Sequence, residues 1–96
     1  MIQRTLLVQA RLGLHARAAA KVVRLAQGFS STVELRRVDN SATADAKSIL
    51  SVLMLAAGRG TELNATAEGS DEEAALTALD QLFAQGFGET EQEPSG

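Results

Sequence analysis

Gly13-Leu14-His15-Ala16-Arg17-Ala18-Ala19-Ala20-Lys21 joins a glycine turn to an alanine-rich helix start and carries the single histidine of the chain. Alanine is the strongest helix former. From Ala16 to Gln27 the apolar residues Ala19, Val22, Val23 and Ala26 recur at i, i+3, i+4 and i+7, so the spacing predicts an amphipathic helix. Arg17, Lys21 and Arg24 fall on its other face as a basic stripe. Gly28 is placed to stop it. Upstream, residues 2–8 read as a strand that ends in the loop carrying Gly13.

Downstream the period changes. Thr32 to Arg37 alternates, with Val33 and Leu35 on one side and Glu34 and Arg36 on the other, as in a half-buried strand. Asp39-Asn40 signals a turn, and a short strand over residues 41–44 would complete a hairpin. Asp45 is placed to cap a second helix with Ile49, Val52 and Leu53 on its buried edge and Gly58 as its stop. Thr61 to Glu68 alternates again, with Leu63, Ala65 and Ala67 inward. Ser70 and Glu73 have capping-box spacing before a third helix that buries Ala75, Leu79, Leu82 and Phe83 and ends near Gly86. Residues 89–96 carry three glutamates and no apolar residue other than Pro94, so they read as an acidic, disordered tail behind a domain of residues 1–88.

The resulting order is βαββαβα. Short connections make the second and third strands an antiparallel hairpin, and the whole an α+β sheet with its helices on one face. Periodicity alone leaves open a ferredoxin-like split βαβ fold with an added helix.

Bulk properties exclude several functions. Ninety-six residues, 45% hydrophobic and 22% charged, make one globular domain. The absence of cysteine excludes disulfides and thiolate metal sites. Arg4, Arg11 and Arg17 interrupt the first twenty residues, so no signal peptide or membrane span is predicted there. A cytoplasmic protein is expected. A net charge of −3 and three aromatics argue against nucleic-acid binding, which needs a basic footprint and stacking rings.

The chemistry concentrates at His15. It is the only histidine, and imidazole is the one side-chain nitrogen nucleophile here of a type that can be neutral near pH 7. A helix start offers unpaired backbone N–H groups and the positive end of the macrodipole, which receive an anion well. Imidazole both attacks phosphorus and leaves it readily, so such a ring can accept and then donate a phosphoryl group. Arg17 is placed to contact the phosphate by charge-assisted hydrogen bonds.

Over residues 2–86 the chain resembles HPr, the histidine-containing phosphocarrier family of the bacterial phosphoenolpyruvate-dependent sugar phosphotransferase system. Gly13-Leu14-His15-Ala16-Arg17 matches its phosphorylation signature, and Lys47-Ser48-Ile49 its second signature, around a regulatory serine. Gly28-Phe29, Gly60-Thr61-Glu62 and Glu68-Gly69-Ser70-Asp71-Glu72 sit where the family has comparable residues. The resemblance implies an open-faced β-sandwich, a four-stranded antiparallel sheet covered on one face by three helices. It implies a phosphohistidine carrier rather than an enzyme, without cofactor or metal. The partners implied are enzyme I as donor, enzyme IIA-type domains as acceptors and an HPr serine kinase acting on Ser48; a monomer that enters no membrane is expected. Leu12-Gly13, Gln27-Gly28-Phe29, Leu53-Met54-Leu55 and Leu82-Phe83…Gly86-Phe87 are similar also to the nitrogen-related HPr branch, which serves a regulatory relay. A binding protein on this fold that performs no transfer is the rival reading; retention of His15 and Arg17 argues against it.

One departure from the family pattern is Ala18, where the family has proline. Alanine lifts the restraint that proline would put on the first turn and on Arg17. Lys21 and Arg24 suit docking to an acidic partner. Three consecutive apolar residues, Leu53-Met54-Leu55, cannot all be buried by a short amphipathic helix, so Leu53 or Met54 is expected on the docking surface. Gly58 and Gly60 lack the lysine and hydroxyl residue of a phosphate-binding loop and read as turn glycines.

Overall fold

A computed structural model describes residues 1–88; the expected acidic tail at 89–96 lies outside them. The elements are β1 (Ile2–Leu7), α1 (Ala16–Gln27), β2 (Thr32–Arg37), β3 (Thr43–Asp45), α2 (Ile49–Met54), β4 (Glu62–Glu68) and α3 (Glu72–Ala84), with a closing 3₁₀ turn at Gly86–Gly88. The sheet order is β1-β4-β2-β3 and every pairing is antiparallel. β4 therefore lies between β1 and β2, and β2 between β4 and β3. This is the open-faced sandwich expected, and it removes the ferredoxin-like alternative that periodicity left open.

Alternation decides which side of the sheet is covered. Leu63, Ala65 and Ala67 of β4 register with Leu6, Arg4 and Ile2 of β1 and with Arg37, Leu35 and Val33 of β2. The inward members pack under Ala18, Ala19, Val22, Val23 and Ala26 of α1, Val52 of α2, and Ala75, Leu76, Leu79 and Phe83 of α3. Alanines on the central strand keep that layer thin. Phe83 and Phe87 meet edge to face with centroids 4.9 Å apart, an arrangement aromatic quadrupoles favour. Leu76 joins this core although it was not among the expected inward residues, and Leu82 is only half-buried.

Several ends differ from expectation, each for a hydrogen-bonding reason. β3 starts at Thr43 because the turn runs on through Ser41, whose φ is +64°, and the Asn40 side chain accepts from the Ala42 N–H at 3.0 Å. Asp45 closes β3 and does not cap α2; its Oδ1 accepts from the Lys47 N–H at 2.9 Å. The cap is Ser48, whose hydroxyl accepts from the Ser51 N–H at 3.4 Å. α2 stops at Met54, before Gly58, and Ala56 turns the chain with φ +52°. Gly28 follows α1 as expected but keeps a right-handed φ of −76°, so no glycine freedom is used there.

At α3 the cap is not the expected Ser70, and Glu72 rather than Glu73 turns back toward the preceding loop. Asp71 occupies the cap position without a capping bond, and Glu72 reaches back to accept from the Gly69 N–H at 3.1 Å. The Asp71 carboxylate is engaged elsewhere. It accepts from the Ser30 N–H at 2.9 Å, the Ser31 N–H at 2.9 Å, the Ser30 hydroxyl at 3.2 Å and the hydroxyl of buried Ser31. These donors, the Ser31 hydroxyl foremost, hold its pKa down at about 2. The loop after α1 is thereby pinned to the start of α3.

Candidate functional site

His15 is the N-cap of α1, with extended backbone (φ −75°, ψ −179°) and a carbonyl that accepts the first intrahelical bond, from the Ala19 N–H at 2.8 Å. Its Nδ1 accepts from the Arg17 N–H at 3.3 Å. An accepting Nδ1 carries a lone pair, which assigns the proton of the neutral ring to Nε2. The Nδ1 lone pair thus faces the amides of the first helical turn, which have no carbonyl one turn back to bond.

The approach to His15 is built on close contact. Gly13 has φ +69° and donates its N–H to the Ala10 carbonyl at 2.9 Å. A Cβ at this position would lie 2.6 Å from the Ala57 oxygen and 2.8 Å from Gly58 Cα, so conformation and space both require glycine. The next residue, buried Leu14, donates its N–H to the same Ala57 oxygen at 2.9 Å. The Gly13-Leu14 step that leads into His15 therefore rests on a shelf formed by residues 57 and 58.

The expected docking residues divide. Arg17 and Arg24 are exposed on α1, with Arg24 in its last turn, where a cation suits the helix dipole. Lys21 is drawn off the stripe, because its Nζ donates to the Phe87 carbonyl at 2.6 Å and ties the 3₁₀ turn to α1. On α2, Met54 is 74% exposed, Leu53 half-buried and Leu55 buried. Ile49, expected on the buried edge of α2, is instead 46% exposed, and Leu50, which sequence reasoning missed, is 66% exposed. Their signal was present: five of the six residues of α2 are apolar, and only Val52 can be buried by so short a helix. Leu50 and Met54 lie one turn apart and form one apolar stripe. Leu12, on the loop before His15, is 65% exposed as well.

Ser48, at the start of α2, is half-buried, with its hydroxyl engaged as a cap. Ala18 is wholly buried in the first turn of α1. Among the described residues no group of acidic or histidine side chains is arranged to hold a metal ion, and no helix is long and apolar enough to cross a membrane.

Comparison with known proteins places this geometry. The family model of the PTS HPr component phosphorylation site matches residues 2–85. The chain is 47% identical over 91 residues to the phosphocarrier protein HPr of Cupriavidus necator, covering 95% of this chain and 100% of that one. It is 40% identical over 88 residues to the phosphocarrier protein NPr of Escherichia coli K12, covering 92% and 97%. Among solved structures, an HPr from Thermoanaerobacter tengcongensis superposes with a TM-score of 0.88 at 37% identity, covering 94% of this chain and 99% of that one. A match over nearly the whole length, with a glycine-shelved histidine capping the first helix, makes this chain a member of the HPr family of phosphocarriers.

Proposed function

We propose that His15 accepts a phosphoryl group from phosphorylated enzyme I and passes it to a histidine of an enzyme IIA-type domain. The observation that carries this reading is the Nδ1 lone pair directed at the start of α1, with the Arg17 N–H 3.3 Å away. In acceptance, Nδ1 attacks phosphorus, a P–N bond forms on His15, and the P–N bond to the donor histidine breaks. The phosphoryl oxygens then take over the first-turn amides, where the helix dipole favours their charge. The Arg17 guanidinium adds a charge-assisted contact. The proton kept on Nε2 lets the ring leave as neutral imidazole when an acceptor attacks, so the same geometry serves both directions. Exposed Leu50 and Met54 supply apolar contact to the partners, and Arg17 and Arg24 the positive rim.

The test is incubation with phosphoenolpyruvate and enzyme I, followed by detection of an acid-labile adduct. His15→Ala is expected to abolish uptake without unfolding; uptake at normal stoichiometry in that variant would end the carrier reading. Arg17→Ala is expected to fold normally and to transfer about tenfold more slowly in both directions.

A second reading places the protein in a regulatory relay, and the similarity to NPr over 92% of the chain supports it. Offering the phosphorylated protein sugar-type and nitrogen-type enzyme IIA domains side by side separates the two by which one is charged faster.

A further inference from the structure

We propose that Arg37 is a positioning residue of the phosphoryl site, holding the turn that leads into the shelf under Gly13 and Leu14, next to His15. The inference rests on the carrier reading for its kinetic consequence, but its geometry is independent of that reading. Arg37 ends β2, and its side chain is only 17% exposed. Nε and Nη2 donate to the two oxygens of Asp39 at 2.9 and 2.8 Å, a bidentate pair that fixes the plane of the guanidinium. Nη1, thus aimed, donates to the Leu55 carbonyl at 2.8 Å and the Ala56 carbonyl at 3.1 Å.

Those two carbonyls stand at the end of α2, where the helix itself supplies no further N–H partners. Ala56 has φ +52°, a left-handed conformation that alanine resists, so the turn must be held by its surroundings. Arg37 holds it. The next oxygen along, that of Ala57, receives the Leu14 N–H at 2.9 Å, and Gly13 packs against it with no room for a Cβ. One residue further is His15. The guanidinium therefore acts through a short series of contacts: Asp39, Arg37, the turn at residues 55–57, and Leu14, the residue that leads directly into His15. Close-packed contacts transmit a displacement rather than absorb it. A lysine cannot reproduce the arrangement, because one ammonium lacks the planar fork that bridges a carboxylate and two carbonyls at once.

The experiment measures phosphoryl transfer from phosphorylated enzyme I at a series of carrier concentrations for the wild type, Arg37→Ala, Arg37→Lys and Asp39→Asn. In parallel, ¹⁵N shifts report the His15 tautomer, and hydrogen exchange reports the Leu14 amide. Asp71→Asn serves as a destabilised control remote from the shelf. Arg37→Ala is expected to lower the saturating rate about tenfold with KM little changed, because misplacement of the reacting atom costs rate rather than binding. It should also shift the Nδ1–H/Nε2–H balance of His15 and speed exchange at Leu14, with Arg37→Lys restoring less than half of each effect. The Asp71→Asn control should melt lower and keep the His15 shifts and the saturating rate. Should Arg37→Ala fail to fold, Arg37→Lys and Asp39→Asn carry the same comparison. A lower melting temperature with unchanged His15 shifts and an unchanged saturating rate would reduce Arg37 to a stabilising residue and overturn the proposal. Failure of the wild type to take up phosphate would instead defeat the carrier reading, and the ¹⁵N and exchange measurements would still decide the role of Arg37.

Discussion

At the scale of single residues, the site depends as much on what is missing from a side chain as on what is present. His15 needs its neighbour at position 13 to have no Cβ, since that atom would meet the Ala57 oxygen at 2.6 Å. Gly13→Ala is expected to cost roughly 1–3 kcal/mol from its left-handed φ alone. The collision adds to that and displaces the loop that delivers the ring. Urea unfolding together with the His15 ring shifts would check both parts; a variant as stable as its parent with unmoved shifts would show that the loop relaxes freely. His15 itself was legible from its sequence context, being the sole histidine between a glycine turn and a helix start. Arg37 was not, because the carbonyls it holds lie 18 and 19 residues away. Local pattern carries no trace of such a pairing.

At the scale of elements, the long periodic segments were readable and the short ones were not. α1 spans Ala16–Gln27 as its repeat predicted, and β2 spans Thr32–Arg37 as its alternation predicted. β3 has three residues and α2 six, too few for a period to outweigh the local hydrogen bonds of Asn40, Asp45 and Ser48. That shift in boundaries gives Ser48 a different part to play. As the cap of α2 it lies beside exposed Ile49 and Leu50, so phosphorylation would bring about −1.5 to −2 charges to the edge of the apolar stripe. Aspartate is itself a good cap, and Ser48→Asp is expected to hold stability within about 0.5 kcal/mol. Transfer from enzyme I should nevertheless fall, most at low salt where repulsion is least screened. Equal rates for the variant and the wild type at low salt would leave Ser48 as a cap and nothing more.

At the scale of the whole molecule, the staple between Asp71 and the Ser30–Ser31 loop joins segments about 40 residues apart, which no reading of local sequence could anticipate. The Asp71 carboxylate is held at a pKa of about 2 by the hydrogen bonds it accepts, first of all from the Ser31 hydroxyl. An unfolded aspartate titrates near ~3.9, so the folded state favours the ionised form. The staple is fully formed above that value and is lost as the pH falls from about 4 toward 2. Thermal melts across this window should therefore show wild-type stability declining with acid. Asp71→Asn should start lower by several degrees at neutral pH and decline less steeply. Parallel curves for the two proteins would assign the acid sensitivity to other carboxylates. The sheet, by contrast, was legible at this scale, because Val33, Leu35, Leu63, Ala65 and Ala67 all alternate toward one side and leave the other without an apolar face.

That one-sidedness has a consequence for traffic through the molecule. His15 and Arg17 open α1, the approach to them packs on Ala57 and Gly58 just past α2, and the exposed Leu50 and Met54 belong to that same α2. If His15 is the carrier residue, whatever delivers a phosphoryl group and whatever removes it would occupy the same berth in turn. On the proposed carrier reading the molecule would work as a ferry with a single landing. It would leave one bank before touching the other, and a crowd of empty acceptors would delay its reloading.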